Sequence, residues 1–267
     1  MRRTDAFAVT IALLALAAPA LAQAKADVPA QTPQAVPVPE TRPAAADKRE
    51  EPGKPEEAAP EAPPGPDGPA APPVRETLAE SDAAFSECTA ALTALGARFE
   101  VRPPLTDADE RDCGIARPLA VSEILAGVEL RPEAVLRCAT ALALAEWTRD
   151  FVVPAARRLP GRGPLAGIDH GTAYLCRPRN GVEGGTLSEH AFGNAIDVAG
   201  FRFERGEALA VTPRTGDGSL EEAFQEAARK TACLAFATVL GPGADVAHAD
   251  HLHLDVKARS GGFRLCQ

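Results

Sequence analysis

None of the six cysteines in this chain has a partner three positions away, and neither a G-x-S-x-G element nor a phosphate-binding glycine spacing occurs in its 267 residues. The first absence argues against a thiolate metal site or a dithiol redox centre, the second against a serine nucleophile on a strand-to-helix turn, and the third against a nucleotide phosphate cradle. Basic charge is short as well. Twenty-eight Lys and Arg face 37 Asp and Glu, for a net charge of −9, so nucleic acid is excluded as a partner and the acidic balance mainly keeps the protein in solution. Apolar runs long enough to matter for a membrane are missing from residue 22 onward, and no internal repeat is visible.

What is present divides the chain into three materials. Arg2 and Arg3 precede an apolar run from Phe7 to Leu21 that closes on Ala20-Leu21-Ala22, the pattern of a secretory signal peptide over residues 1–22. The protein is therefore expected to be periplasmic or secreted, with an uncleaved N-terminal anchor as the alternative. Residues 23–77 hold 14 of the 25 prolines, many Ala and Glu, and almost no large apolar side chain. Such a stretch buries too little surface to offset chain entropy and reads as a disordered linker. The folded domain is expected over residues 78–267. All six cysteines lie there, widely spaced, and an oxidising compartment turns them into three disulfides among 15 conceivable pairings. Cys138 and Cys233 fall on two predicted helices, and a bond between them is expected to staple those helices together.

Periodicity predicts an α+β domain, a small antiparallel β-sheet flanked by helices, with no membrane span inside it. Residues 79–95 read as one helix, and Pro132 opens a longer one through Ala156, on which Val135, Leu136, Ala139, Leu142, Ala143 and Trp147 recur at helical spacing. Trp147 lies on that stripe and reads as core. A third helix starts at Ser219, which forms a capping box with Glu222, and ends before Gly241-Pro242-Gly243. Strands are predicted over 165–176, 194–203, 207–212 and 251–256, between Gly, Pro and Asn punctuation.

Four of the five histidines fall in two compact stretches, SEHAFGNAIDVAGF over 188–201 and HADHLHLDV over 248–256. His251 and His253, two apart on a predicted strand, project to one face, where ring nitrogens can converge on a cation. His190 precedes a strand carrying Asp197. His190, Asp197 and one histidine of the pair make the three-ligand set of a catalytic zinc site, with a fourth position left open, and His248 is a further candidate for that set. His170, in Asp169-His170-Gly171, reads as a turn residue, and the Ser188 hydroxyl as an orienter of His190 or of a neighbouring carboxylate.

Ser188-Glu189-His190-Ala191-Phe192-Gly193-Asn194-Ala195-Ile196-Asp197 resembles the S-x-H-x-x-G-x-A-x-D motif of zinc D-alanyl-D-alanine carboxypeptidases, and Asp250-His251-Leu252-His253 is similar to their second motif. These enzymes belong to the lysostaphin, D,D-peptidase and hedgehog-like fold group. The stretch from Cys88 to Asp255, with Tyr174-Leu175-Cys176-Arg177 and Val239-Leu240-Gly241-Pro242-Gly243, resembles the bacterial extensin-like C-terminal domain family more closely.

The peptidase resemblance implies zinc held by His190, Asp197 and His253, and Asp250 as the general base that takes a proton from the attacking water. It implies that His251 stabilises the oxyanion or orients the substrate, and that Arg177 polarises the scissile carbonyl or binds a terminal carboxylate. The implied substrate is peptidoglycan or its stem peptides, cut as by a carboxypeptidase or endopeptidase. A noncatalytic cell-wall-binding module of the same fold is the alternative. Where many relatives have Glu and a Trp-His pair, this chain has Asp250 and Leu252. On a regular strand Asp250 points away from His251 and His253, so a strand-end twist or bulge has to bring it round, and otherwise the base is His251 or a water.

Overall fold

Burial that alternates on either side of a solvent-facing centre, and not a helical stripe, governs residues 128–136. The computed structural model describes residues 71–267 apart from Thr215 and Asp217. The signal peptide expected over 1–22, and the expected linker as far as residue 70, lie outside the described residues. Near the end of that linker segment, α1 (Val74–Thr77) is a single helical turn whose Val74 amide donates to Asp112 Oδ1 at 3.1 Å. The Ser81 hydroxyl caps α2 (Asp82–Ala94), inside the helix predicted for 79–95, by accepting from the Ala84 amide.

Strand β1 (Arg98–Val101) follows, then β2 (Leu105–Thr106) and β3 (Gly114–Ile115), which pair only with each other. The hairpin of β4 (Leu119–Leu125) and β5 (Val128–Leu136) comes next. Here the helix expected to open at Pro132 is corrected. Val128, Leu130, Ala134 and Leu136 are buried while Arg131 to Glu133 face solvent, the burial pattern of a strand. Pro132 cannot donate to a ladder, and the β4 pairing shifts register in this stretch, between Val121 and Glu123. Helix begins only at α3 (Cys138–Trp147), which runs through a π-helical stretch, Thr148–Val152, into α4 (Val153–Ala156).

The remaining strands are β6 (Leu165–His170), β7 (Ala195–Phe203) and β8 (Leu209–Ala210). Helix α5 (Leu220–Ala235) is capped by the Ser219 hydroxyl, which accepts from the Glu222 amide at 3.1 Å. The Glu222 carboxylate accepts from the Gly216 and Gly218 amides, at 2.8 Å each. Three short strands, β9 (Thr238–Leu240), β10 (Leu252–Asp255) and β11 (Leu265–Cys266), complete the domain.

The small antiparallel sheet anticipated from the sequence is a mixed sheet of nine strands, ordered β1-β4-β5-β6-β7-β10-β9-β11 with β8 also on β7. Two of its pairs, β5 with β6 and β9 with β11, are parallel. The α+β class stands, with helices against one face of the sheet. Trp147 is fully buried there, packed on Phe201 and Phe236, and its indole Nε1 donates to the Ala228 carbonyl at 3.2 Å. Ile196, Val198, Leu252 and Leu254 face this core, so the alternate residues of β7 and β10 face the other side. Among the described residues no helix is long and apolar enough to cross a membrane.

All six cysteines are paired, as Cys88–Cys138, Cys113–Cys176 and Cys233–Cys266. The expected Cys138–Cys233 bond is corrected: Cys138, at the first turn of α3, bonds to α2, and Cys233 bonds to the C-terminal strand. Closing loops of 33 to 63 residues should stabilise the fold by about 4 kcal/mol per bond on chain entropy alone. Thiol titration of the unfolded, nonreduced protein should therefore find no free thiol, and replacing Cys113 and Cys176 together by Ala should cost about 2–5 kcal/mol in denaturant unfolding.

Candidate metal centre

His190 reaches the site from a single 3-10 turn, Glu189–Phe192, whose start is capped by the Ser188 hydroxyl accepting from the His190 amide at 3.5 Å. Ser188 thus orients His190 through the backbone. The turn ends at Gly193, in the left-handed region at φ 65°, where a Cβ would lie 2.3 Å from Ile115 Cδ1. Only glycine fits both the torsion and the space. The Gly193 carbonyl accepts from the Arg137 amide and the Thr140 hydroxyl, at 3.0 and 2.9 Å, which fixes the point where the chain enters β7.

Asp197 lies on β7 directly opposite His253 on β10, an antiparallel register pair. Three atoms meet there. His190 Nε2 lies 3.1 Å from Asp197 Oδ1 and 3.1 Å from His253 Nδ1, and the last two are 2.9 Å apart. Both rings are held from behind. The His190 Nδ1–H donates to the Ala173 carbonyl at 2.8 Å, and His253 Nε2 faces Asp255 Oδ2 at 3.3 Å. With those nitrogens protonated, Nε2 of His190 and Nδ1 of His253 present lone pairs to the same point as a carboxylate oxygen. Three acceptors cannot share a point without a cation or a proton between them. A divalent ion at about 2.0–2.1 Å from each donor sets donor–donor edges near about 3.3 Å, close to those observed, so the set fits zinc. Among the described residues this is the one group of three or more His, Cys, Asp or Glu with such convergence.

Electrostatics agree with that geometry. Burial works against a charge on Asp197, but its contacts to His190 and His253 outweigh it and hold the carboxyl far below the ordinary carboxylate range. Burial likewise works against a charge on His253, yet its contacts to Asp197 and Asp255 push its pKa up to about 9. Without a metal, His253 carries the shared proton.

The remaining candidates are placed unequally around a cleft of about 400 Å³. His251 Nε2 points inward, 3.6 Å from Asp197 Oδ1 and outside the converging trio. Its Nδ1 is 2.9 Å from Asp250 Oδ1, while the Asp250 side chain is 85 % exposed and does not line the cleft. Arg177 and His248 both line it, and His248 Nδ1 is 2.7 Å from Asp245 Oδ1. His170 is no ligand: it ends β6, buried, with Nε2 donating to the Pro132 carbonyl at 2.7 Å. Sequence reasoning missed Asp255 behind His253, although residues 251, 253 and 255 share a strand face by the same alternation that singled out the two histidines. Asp245 carried no comparable signal.

The family described as Extensin-like protein C-terminus matches residues 86–267, which span the whole of this site. No curated protein and no solved structure matches the chain.

Zinc added to the full chain should bind at about one ion per molecule, and His190→Ala, Asp197→Ala or His253→Ala should each abolish tight binding, as elemental analysis would show. Binding should also depend on pH in a stated direction. His253 moves from an ordinary 6.5 to about 9, so its protonated form stabilises the metal-free fold below pH 6.5, a contribution lost as pH rises through 9. Zinc must displace that proton, so its affinity should climb by about tenfold per pH unit between those values and level off above them. Competition titration against a chromophoric chelator checks this. A flat profile would take the proton off His253.

Proposed function

This chain belongs to the Extensin-like protein C-terminus family, and on that footing we propose that it is an exported zinc-dependent peptidase that hydrolyses amide bonds in peptidoglycan stem peptides. The observation that carries the reading is the tripod of His190, Asp197 and His253, whose three ligand atoms would hold a metal ion at the wall of a polar cleft. The resemblance of both motifs to zinc D-alanyl-D-alanine carboxypeptidases supplies the substrate class. Three disulfides suit an exported domain. Attachment of that domain, over 78–267, to a linker and a cleaved signal peptide or retained anchor belongs to the same proposal.

A zinc ion held by His190 Nε2, Asp197 Oδ1 and His253 Nδ1 supplies Lewis acidity toward water and an amide carbonyl. The protein's own groups do the rest. His251, held through Nδ1 by the Asp250 carboxylate, presents Nε2 to the cleft as the acceptor for the proton of the attacking water, and returns it to the leaving amine. Asp250 acts as the orienter of that ring, because an outward-facing carboxylate cannot touch the reacting atoms. Arg177, on the cleft wall beside the Cys113–Cys176 bond, holds the substrate's carbonyl or terminal carboxylate with its planar fork.

The exposure of Asp250 is also the observation that favours the second reading, a binding module that keeps the metal but lacks a competent base. Incubating the zinc-loaded full chain with purified peptidoglycan and weighing the soluble products by mass spectrometry separates the two. His251→Ala should keep zinc and lower turnover by about 10²- to 10⁴-fold, the range for a lost acid–base group. Asp250→Asn should act in the same direction by a smaller factor, and Arg177→Lys should weaken hydrolysis without removing metal. A larger loss in Asp250→Asn than in His251→Ala would return the base to Asp250. Stoichiometric zinc with no cleavage by the unaltered protein would leave the binding module.

A further inference from the structure

Behind the metal-facing nitrogen of His253 lies a chain of buried polar groups that ends on a cation. Asp255, 3 % exposed, turns Oδ2 to His253 Nε2 at 3.3 Å, and its Oδ1 accepts from the Thr238 hydroxyl at 2.8 Å and from the Lys257 amide at 3.0 Å. Thr238, also 3 % exposed, accepts through Oγ1 from Arg259 Nη2 at 2.7 Å. Arg259 Nη1 donates to the Ala237 carbonyl at 2.9 Å. The direction of this chain is forced. A guanidinium can only donate, so the single Thr238 proton is left for Asp255, and Asp255 is left able only to accept from His253.

We propose that Thr238 and Arg259 are positioning residues of the metal centre, which fix the orientation of Asp255 and through it the ring and tautomer of His253 that present Nδ1 to the ion. The proposal rests on the metal reading above and deepens it. Removing the Thr238 hydroxyl leaves Asp255 Oδ1 with the Lys257 amide alone, and the carboxylate can then rotate away from His253. The chain acts by orientation: Arg259 leaves the Thr238 proton no other direction than Asp255, and the carboxylate so fixed keeps the His253 proton on Nε2 and its lone pair on Nδ1. The C-terminal segment that carries Arg259 is tied to the domain beyond it by β11 against β9 and by the Cys233–Cys266 bond. Arg259 thus reaches the site from outside the strands that carry Asp197 and His253.

The test compares the full chain with Thr238→Val, Thr238→Ser and Arg259→Gln. Zinc affinity, by chelator competition at one pH, should fall by about 10- to 100-fold in Thr238→Val and in the same direction in Arg259→Gln, while Thr238→Ser should stay within about threefold of the unaltered protein. A second readout needs no metal. In imidazole ¹H–¹⁵N spectra of the metal-free chain, the His253 Nε2–H should be resolved in the unaltered protein and Thr238→Ser, and broadened by solvent exchange in Thr238→Val and Arg259→Gln. If Thr238→Val does not fold, Arg259→Gln, on a half-buried residue with a long side chain, decides the matter. Absence of zinc binding by the unaltered protein, with the His253 signals behaving as stated, would end the metal reading and leave the positioning role standing. Unchanged affinity and unchanged His253 signals in folded Thr238→Val or Arg259→Gln would overturn the positioning role while leaving the metal.

Discussion

Pairing of β7 with β10 leaves no freedom in which side chains share the cleft, because side chains on a strand alternate with period two and Asp197 is fixed opposite His253. A slip of one residue would turn His253 and Asp255 into the apolar core and push Leu252 and Leu254, both fully buried, into the polar cleft. The core therefore selects the register, and the register assembles the site. Ile196 and Val198 do the same for Asp197 from the other strand. His190 alone stands outside the ladder, and its turn is correspondingly over-determined by the Ser188 cap, the left-handed Gly193 and two donors on the Gly193 carbonyl.

That over-determination has an electrostatic purpose. Burying a carboxylate beside two imidazoles whose free lone pairs face the same point is unfavourable unless a positive charge is shared among them. A proton on His253 meets the need in the metal-free protein, and the upward shift of that histidine and the downward shift of Asp197 are two views of one charge. A divalent cation meets it better, because it satisfies all three lone pairs at once where a proton satisfies two. Structural core histidines have no reason to be arranged this way. A ring that merely fills space would have its second nitrogen paired to a neighbour, whereas here the rear nitrogens are paired and the front ones converge.

The convergence of His190, Asp197 and His253 was legible in the sequence because their spacing is short and their chemistry is local. A histidine seven residues before an aspartate across a glycine turn, and two histidines on one strand face, carry the geometry within the motif. The size of the sheet was not legible. Val135 and Leu136 fit a helical stripe as well as a strand, and only pairing with β4 decides between them. Strand β1 is short and mostly exposed at the sheet edge, so it leaves no alternating trace. The disulfide pairing and the approach of Arg259 to Thr238 depend on segments more than twenty residues apart meeting in space, which no local pattern records. Asp250 falls between these cases. Alternation already told against a base on the far side of the strand from His251, and its carboxylate indeed meets solvent and the His251 ring instead of the cleft.

Two of the three disulfides join segments outside the sheet, and the third ties its last strand, β11, to α5. The three proposed ligands sit on a sheet or on a turn hydrogen-bonded to one, and no half-cystine adjoins any of them. Two of the three arginines that line the cleft lie on irregular segments near a cysteine, Arg177 beside Cys176 and Arg259 seven residues before Cys266, and each of those cysteines is bonded across to a regular or buried element. A long cationic side chain on a free loop would lose its direction to conformational entropy, roughly 2 kcal/mol for the side chain alone, and would hold neither a substrate carboxylate nor a threonine hydroxyl for long. Covalent closure limits the backbone beneath each arginine to a narrow range, so the hydrogen-bonding forks arrive aimed. The strands thus set the point on which the three side chains converge, and two of the disulfides fasten segments that border it.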